Sequence, residues 1–548
     1  MKGLMMDTPL LIPSLIQHAA RCHAEVEICS LTIEGAMHRY GWGDCYGRVQ
    51  RLANALRSLG VEPGDRIATL AWNGYRHLEL YYGVSGMGAV CHTVNPRLFT
   101  EQITYILNHA ADRFIFVDLS FVELLEAMIE QITCVEGFII LTDEAHMPDT
   151  SLPNALCYET LLAAAADHYD WPRLDERSAS ALCYTSGTTG SPKGTLYSHR
   201  STVLHALGIL IGSFALKGDD VVLPVVPMFH VQSWGIPHAA PLVGAKLVFN
   251  GPHFDGETLQ RLFEEERVTV SLGVPTIWLG LLDYLRASGK RIDSLRMLIS
   301  GGAAPPLSMV EAIERDYGVP INHGWGMTET SPVAAAGINP RRLAGLTPDD
   351  RIKAKLKQGQ ALYGVDMKIV DDDGNRLPHD GEATGELYVR GPWVMSGYYN
   401  DQAATADAFD DEGWFGTGDV VSIEPDHHIQ ITDRSKDLIK SGGEWISSID
   451  LENTAMGHPD VAEAAAIAMP HPKWGERPLL VVVPTPGATP TKNDIIDYLR
   501  DKVARWGLPD DVVFTDQIPH TATGKISKLK LRETYKDYVL PTAEPGAE

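Results

Sequence analysis

Short apolar runs separated by helical patterns constrain the fold of this 548-residue chain more than any other feature of its sequence. Such runs favour buried strands, and their alternation with helices is typical of parallel sheets in an α/β fold. A helix is predicted over Arg48–Leu59, where apolar residues recur at helical spacing and Gly60 supplies a left-handed stop. The runs predicted to be strands are Ile67–Leu70, Phe114–Val117, Phe138–Leu141, Val221–Val226, Lys246–Phe249 and Met297–Ile299.

The sequence pattern changes twice toward the C-terminal end. After about residue 361, strands at Met367–Val370 and Gly385–Val389, with a turn at Asp371–Gly374 between them, indicate a small antiparallel subdomain. From about residue 433 the pattern predicts a small α/β domain. Its predicted elements are strands at Ala464–Ala468 and Leu479–Val483, a helix at Asn493–Ala504 and an irregular tail at Pro541–Glu548.

Charge and cysteine content exclude several classes of function. A net charge of −25 repels nucleic acids and anionic membranes, so a polyanionic ligand requires a local site. Seven cysteines without a C-x-x-C pair predict neither a disulfide framework nor a zinc site, and they favour a reducing cytoplasm. Prolines interrupt the early apolar run Leu10–Leu15, and no run of 18 apolar residues occurs, so we expect neither secretion nor membrane spanning.

A loop rich in glycine and hydroxyl groups, Tyr184–Gly194, directly follows the apolar residues Ala181–Cys183. Glycines let backbone N–H groups face a phosphate, hydroxyls add donors, and Lys193 supplies a counter-charge. It differs from the P-loop of NTPases, because Pro192 stands where a glycine is required and Gly194 where a Ser or Thr would hold magnesium. The loop therefore predicts a phosphate site, with a flexible surface turn as the alternative.

This loop resembles the signature of the adenylate-forming superfamily, which includes acyl-CoA synthetases, aryl-CoA ligases, peptide-synthetase adenylation domains and beetle luciferases. Further segments resemble motifs of that superfamily in the same order along nearly the whole chain: Pro227–His230 with Trp234, Ser300–Pro305, His323–Glu329, Phe415–Asp419, Asp433–Ser447 and Pro519–Lys525. The resemblance implies an N-terminal domain over residues 1–432, with the acyl and ATP sites, and a small mobile C-terminal domain over residues 433–548.

The resemblance also implies an ATP/AMP site. In it, Trp325 replaces the usual tyrosine, keeping an aromatic face for adenine but lacking the phenol. Thr328 contacts phosphate, Glu329 holds Mg²⁺, Asp419 accepts both ribose hydroxyls and Arg434 contacts ribose. The full set is Thr185, Ser186, Gly187, Thr188, Thr189, Gly190, Lys193, Gly302, Ala303, Ala304, His323, Gly324, Trp325, Gly326, Met327, Thr328, Asp419, Arg434 and Lys525.

Three further groups of residues follow from the same resemblance. The catalytic residues are Lys525, on the loop 519–525, with His230, Thr328 and Glu329, and Asp433 is the hinge. The acyl pocket comprises His230, Trp234 and Gly302, and the CoA tunnel comprises His230, Lys440, Ser441, Gly442, Gly443, Glu444 and Trp445, with a glycine loop at 440–444. Without the resemblance, Glu329 would be an ordinary solvated carboxylate, Lys525 a surface lysine and His230 a structural hydrogen-bonding residue.

The resemblance implies an ATP-dependent acid–CoA ligase, with ATP, CoA, Mg²⁺ and a small carboxylic acid as its ligands. Fatty-acyl-CoA ligases and 3-methylmercaptopropionyl-CoA ligases of bacterial dimethylsulfoniopropionate breakdown are the most similar groups. We expect a short or medium acid such as 3-methylmercaptopropionate, and a homodimer with no nucleic-acid partner. Medium- or long-chain fatty-acid ligases, an adenylation enzyme that uses a carrier protein and a non-catalytic nucleotide-binding regulator remain the alternatives.

Overall fold

The computed structural model describes residues 1, 3–185, 191–212, 214–442, 444–500, 502–521 and 525–543. Its strands are β1 (Glu27–Leu31), β2 (Met37–Gly41), β3 (Arg66–Leu70), β4 (Val90–Thr93), β5 (Phe114–Val117), β6 (Gly137–Ile140), β7 (Ala155–Cys157), β8 (Ala179–Tyr184), β9 (Gly194–Ser198), β10 (Val221–Pro224), β11 (Lys246–Phe249), β12 (Val270–Gly273), β13 (Met297–Gly301), β14 (Ile321–Gly326), β15 (Val333–Ala336), β16 (Gly359–Ala361), β17 (Asp366–Val370), β18 (Thr384–Arg390), β19 (Phe415–Ile423), β20 (His428–Arg434), β21 (Ile439–Ser441), β22 (Glu444–Ile446), β23 (Val461–His471), β24 (Gly475–Pro484) and β25 (Asp511–Phe514).

Helices connect most of these strands. They are α1 (Pro13–Cys22), α2 (Trp42–Ser58), α3 (Tyr75–Gly86), α4 (Thr100–Ala110), α5 (Val122–Met128), α6 (Tyr158–Ala163), α7 (His199–Ile211), α8 (Ile236–Val243), α9 (Gly256–Glu266), α10 (Pro275–Ser288), α11 (Leu307–Asp316), α12 (Pro340–Leu343), α13 (Pro348–Lys355), α14 (Gln402–Ala408), α15 (Ser448–Ala455), α16 (Lys492–Arg500) and α17 (Lys528–Thr534). Among the described residues, no helix combines the length and apolar character that crossing a bilayer requires.

The strands of the described chain form three sheets. The first has the order β7-β6-β5-β3-β4-β8-β9 and is parallel except for the β8–β9 pair. The second has the order β17-β18-β19-β20-β16-β15-β14-β13-β12-β10-β11-β1-β2. It is parallel from β1 to β14 through β11, β10, β12 and β13, and antiparallel beyond β14 and at β2. The predicted α/β fold is confirmed.

The C-terminal region forms the third sheet, of order β22-β21-β24-β23 with β25 beside β24. It packs with α15, α16 and α17 around its own apolar core, so these residues form a small α/β unit as predicted. The predicted helix Asn493–Ala504 is shorter than expected and ends at Arg500. Beyond it the carbonyl of Leu499 accepts the amides of both Lys502 and Val503, and a 3₁₀ turn follows at Arg505–Gly507.

Two other sequence predictions change in extent. The helix predicted from Arg48 begins earlier, at Trp42, because Asp44 caps the backbone N–H of Gly41 and the first turn buries Trp42. Gly60, with φ +77°, is the left-handed residue expected after this helix. The antiparallel strands after residue 361 are present, but they continue the second sheet through β16 and β20. This continuity places Asp419 and Arg434 beside the carboxyl ends of the parallel strands, where α/β folds bind ligands.

Candidate active site

Three sequence motifs meet at the carboxylate of Asp419. Strands β19 and β20 place Asp419 opposite Arg434, whose Nε lies 3.5 Å from Asp419 Oδ1. The indole N–H of Trp325, at the end of β14, donates to Asp419 Oδ2 over 2.8 Å. Both Trp325 and Asp419 are buried. The indole therefore supplies a hydrogen bond of its own, although the phenol usual at this position is missing.

Thr328 and Glu329 lie on a buried 3₁₀ turn that directly follows β14. Two tyrosines fix this turn: the hydroxyl of Tyr197 donates to the carbonyl of Thr328 over 2.6 Å, and that of Tyr398 donates to Glu329 Oε1 over 2.8 Å. Burial raises the pKa of Glu329, while Tyr398 and the cations Arg434 and Lys525 oppose the rise. A desolvated carboxylate beside a phosphate site fits Mg²⁺, which prefers oxygen ligands and shares them with substrate phosphates.

The base of the predicted phosphate loop is closed by two hydrogen bonds between its ends. The amide of Thr185 donates to the carbonyl of Lys193 over 2.9 Å, and the amide of Lys193 donates to Thr185 Oγ1 over 3.2 Å. The ammonium of Lys193 lies 4.9 Å from the ring centre of Tyr398, so a cation–π contact joins this loop to the Glu329 turn. The residues Ser186, Gly187, Thr188, Thr189 and Gly190 lie outside the described part of the chain.

Lys525 extends from the C-terminal domain into this site. The amide of Thr521 donates to the carbonyl of Lys525 over 2.6 Å, and the amide of Lys525 donates back to Thr521 Oγ1, which closes the loop at its base. The Cε of Lys525 lies 3.9 Å from the position that a Cβ on Gly302 would take. Burial lowers the pKa of Lys525 to about 8, with Arg434 adding to the effect and Asp419 and Glu329 opposing it. The domains are thus arranged with Lys525 at the predicted nucleotide site.

The lowered pKa of Lys525 predicts a pH dependence. Its ammonium form is the minority above pH about 8, and only that form stabilises negative charge that develops in the transition state. We expect kcat/KM for ATP in adenylate formation to fall as pH rises through about 8, since this ratio reports the free enzyme. Lys525→Ala should abolish that limb of the profile. An unchanged alkaline limb in the Lys525→Ala profile would contradict the assignment.

The strand pair β13–β14 forms one wall of the site, with Ser300 opposite His323 and Gly301 opposite Gly324. Gly302 follows with φ +80°, a conformation that side chains rarely adopt. Burial lowers the pKa of His323 to about 4, and its Nδ1 lies 3.0 Å from the carbonyl of Leu356. His323 is therefore neutral at pH 7, and its role in the predicted nucleotide site stays a prediction. The remaining predicted residues of this wall are Ala303, Ala304, Gly326 and Met327, of which Ala303 is exposed.

His230 and Trp234 flank an unusual turn after β10. Val231, Gln232, Ser233 and Trp234 all have φ between 42° and 53°, a left-handed conformation that costs about 1–2 kcal/mol per non-glycine residue. The hydroxyl of Ser233 holds the turn by donating to the carbonyl of Val226 over 2.8 Å.

This turn presses Trp234 against the wall of the site. A Cβ on Gly301 would lie only 2.8 Å from Trp234 Cη2, so the absence of a side chain there makes room for the indole. Burial lowers the pKa of His230 to about 4, and the charge of Lys525 contributes. The structure thus brings together His230, Trp234, Gly302 and Lys525, as the predicted acyl pocket and catalytic site require.

Apart from His230, the described residues predicted for the CoA tunnel have their recorded hydrogen bonds elsewhere. Their contacts are with the C-terminal domain: the amide of Lys440 donates to Glu476, the hydroxyl of Ser441 accepts from Arg477, and the amide of Gly442 donates to the carbonyl of Trp474. The ammonium of Lys440 also lies 5.7 Å from a ring centre of Trp445. Gly443 and the side chain of Glu444 lie outside what the structure describes.

Sequence reasoning missed three residues that hold the site. Tyr197 and Tyr398 orient Thr328 and Glu329, as described above. Buried Asn73 donates through Nδ2 to the carbonyls of Pro224 and Val226 and accepts the amide of Met228, which fixes the start of the His230 segment. None of the three lies in a motif with a chemical signature. The one available signal was Tyr398 in a glycine-rich stretch after β18.

Comparison with known proteins identifies the family. The model of the AMP-binding enzyme family matches residues 16–399, and that of the AMP-binding enzyme C-terminal domain matches residues 450–525. The chain belongs to the AMP-binding enzymes. A 3-methylmercaptopropionyl-CoA ligase from Ruegeria lacuscaerulensis is 48% identical over 543 residues, which are 98% of this chain and 99% of that protein. A long-chain-fatty-acid–CoA ligase from Thermus thermophilus is 46% identical over 536 residues, covering 97% of each.

One solved structure is similar to this AMP-binding enzyme over nearly the whole length of the chain. ATP-bound MatB from Rhodopseudomonas palustris superposes with a TM-score of 0.80 at 26% identity, covering 96% of this chain and 99% of that one. These similarities confirm the superfamily predicted from the motifs, and within it an AMP-forming acyl-CoA synthetase.

Proposed function

We propose that the enzyme activates a short or medium carboxylic acid, such as 3-methylmercaptopropionate, as its acyl-adenylate and transfers the acyl group to CoA. The proposal rests most directly on Lys525, which lies beside His230 and Gly302. The charges of Asp419, Arg434 and Glu329 lie close enough to shift its pKa. An ammonium between a carboxylate predicted to bind the nucleotide and the predicted acyl pocket suits adenylate formation, in which negative charge builds up at that place. We place this activity in the cytoplasm, within dimethylsulfoniopropionate degradation.

In the first step, a carboxylate oxygen of the acid attacks the α-phosphorus of ATP and pyrophosphate leaves. Asp419 and Arg434 hold the ribose, and Trp325 offers its indole face to adenine. Lys525 stabilises the negative charge that builds between the acid and the α-phosphate. The loop of Lys193 binds the departing phosphates. Mg²⁺, held by Glu329 beside Thr328, would neutralise part of the phosphate charge.

In the second step, the CoA thiolate attacks the acyl carbonyl and AMP leaves, so that the product is a thioester. Lys525, which lies beside the predicted acyl pocket, would obstruct the approach of the thiol. A rotation of the C-terminal domain about Asp433 would withdraw Lys525 and bring the loop 440–444 to the site. Asp419 belongs to the N-terminal domain, so its proposed contacts with the ribose would keep the adenylate bound during such a rotation.

The identity of the acid is argued from Trp234. Its indole lies against Gly301 on a turn held by Ser233, so it occupies space that an acyl chain would otherwise take. An aromatic side chain buries about 150–250 Å², equivalent to several methylenes. A short acid fits this arrangement. The 48% identity to an enzyme named for 3-methylmercaptopropionate supports the choice, and the 46% identity to one named for long-chain fatty acids keeps that alternative open.

ATP–pyrophosphate exchange over a panel of acids from propionate to palmitate, followed by thioester detection with CoA, tests the proposal. We expect exchange with short acids and acyl-CoA only when CoA is present. Exchange without any thioester, even with CoA, would favour the carrier-protein alternative. That alternative already lacks support in the substrate segment Val226–Gly235, which offers no aspartate to grip an amino group. The predicted homodimer is tested separately, by the mass of the protein in solution.

Trp234→Ala should shift the preference from short to longer acids. Each methylene that enters the vacated space adds about 0.8 kcal/mol of transfer free energy, or about fourfold in kcat/KM. Short acids should bind more weakly because the pocket around them is no longer filled. Trp506→Ala, at an exposed tryptophan of the C-terminal domain, is the matched control. A wild-type enzyme whose highest kcat/KM is on palmitate would mean that Trp234 swings aside, and the long-chain function would replace ours.

A further inference from the structure

Residues of the C-terminal domain form hydrogen bonds with the end of β20, at the border between the two predicted domains. Ser447 and Ser448 begin α15, the first helix after the hinge region. The hydroxyl of Ser447 donates to the carbonyl of Thr432 over 2.5 Å, and the amide of Ser448 donates to Asp433 Oδ2 over 2.6 Å. The hydroxyl of Ser448 also donates to Asp433. Any rotation of the C-terminal domain about Asp433 must break these bonds.

A half-buried lysine completes this arrangement. The ammonium of Lys528, at the first residue of α17, donates to the hydroxyl of Ser448 and lies 2.8 Å from Glu452 Oε1. Burial lowers the pKa of Lys528, but the carboxylates of Glu452 and Asp433 raise it by more, so the net shift is upward. Asp450 is a third acidic group near Asp433. The ammonium of Lys528 thus balances the buried carboxylates of Asp433 and Glu452, so removing its charge leaves them uncompensated.

Lys528 lies only three residues after Lys525 in the sequence. Three residues span at most about 10 Å, so the anchor of Lys528 at the hinge limits where the ammonium of Lys525 can reach. The intervening backbone is short and tied, since the amide of Ser527 donates to the carbonyl of Pro519 over 2.7 Å. A displacement of about 1 Å at a reacting centre can cost about 100-fold in rate. The contact at the hinge and the placement of Lys525 are therefore mechanically coupled.

We infer that Lys528 and Ser448 are positioning residues that clamp Asp433 and thereby hold Lys525 in the adenylate-forming arrangement. Release of this clamp is required before the C-terminal domain can rotate for thioester formation. The inference rests on the proposed two-step function with Asp433 as the hinge. It adds that the two half-reactions depend on these residues in opposite ways: the clamp favours the first step and must open for the second.

The test measures the two half-reactions separately in Lys528→Met, Lys528→Arg and Ser448→Ala. We expect Lys528→Met to lower kcat for acyl-adenylate formation about 10- to 100-fold with KM for ATP unchanged, because the ribose contacts do not involve this lysine. The rate of thioester formation from supplied acyl-adenylate should stay equal or rise. Lys528→Arg should restore most of the first step, and Ser448→Ala, which keeps every charge, should change the two rates in the same directions by less.

Lys536→Met, at an exposed lysine of the same C-terminal segment, is the matched control and should leave both rates unchanged. Equal losses in both half-reactions of Ser448→Ala, or an unchanged first step in folded Lys528→Met, would overturn the inference. If Lys528→Met fails to fold, the Ser448→Ala rates decide alone. Failure of the proposed function is distinguishable, because the wild-type enzyme itself would then show no ATP–pyrophosphate exchange.

Discussion

Lys525→Ala should lower the rate of acyl-adenylate formation about 10²–10³-fold, the usual effect of removing one preorganised donor to developing charge. Lys525 is half-buried beside Gly302 and close to the charges of Asp419 and Glu329, where its ammonium acts more strongly than a cation fully exposed to water. Thioester formation from supplied acyl-adenylate should survive, since the proposed rotation removes Lys525 from the site before the thiol attacks. Rapid-mixing measurements of each half-reaction separate the two effects.

The control for Lys525→Ala is Lys536→Ala, which removes an exposed lysine of the same segment. Equal damage to both half-reactions in Lys525→Ala would show that the lysine does not leave the site, and the alternating arrangement would be wrong. Undamaged adenylate formation would remove Lys525 from the catalytic residues altogether.

Asp419→Ala should weaken binding of ATP and of the acyl-adenylate together, by about 10- to 150-fold. A hydrogen bond to a charged group contributes about 1.5–3 kcal/mol, and the ribose would lose its carboxylate acceptor. The substitution also leaves the indole N–H of Trp325 buried without its partner and Arg434 without its counter-charge. Calorimetric titration with a non-hydrolysable ATP analogue, in the absence of the carboxylic acid, measures the binding affinity for the nucleotide alone.

Asp411→Ala is the matched control for this titration, because Asp411 is an exposed aspartate just before the same strand. Unchanged affinity in Asp419→Ala would end the ribose assignment. Trp325→Phe separates the two roles of the indole: it keeps an aromatic face for adenine but removes the donor to Asp419. We expect Trp325→Phe to weaken binding of the ATP analogue by less than Asp419→Ala does, since the carboxylate itself remains.

The strands of the parallel sheets could be predicted from sequence because burial on both faces requires continuous apolar runs. Phe114–Val117 and Lys246–Phe249 have the same bounds in the structure as in the prediction. The α2 helix was found from its apolar face, but its start was missed because Trp42 belongs to a turn that tertiary packing buries. Element ends depend on such contacts, which a local pattern does not contain.

The chemistry of the site could be predicted only as separate motifs. Trp325 donates to Asp419 although β20, β16 and β15 lie between β19 and β14 in the sheet, and no spacing in the sequence encodes this contact. Tyr398 is tied to Glu329 in the same way. The left-handed turn at Val231–Trp234 runs against the preferences of its own residues. The hydrogen bond from Ser233 to the carbonyl of Val226 and the space that Gly301 leaves for Trp234 stabilise it.

The central claim is that the acid is activated by direct attack on the α-phosphorus of ATP. Incubation with 3-methylmercaptopropionate labelled with ¹⁸O in its carboxylate, ATP, Mg²⁺ and CoA tests it, with mass spectrometry of the nucleotide product. Attack by the carboxylate carries one of its oxygens to phosphorus, so the AMP released when the thioester forms should contain one ¹⁸O atom. Unlabelled AMP, or ADP with the label in inorganic phosphate, would contradict the account.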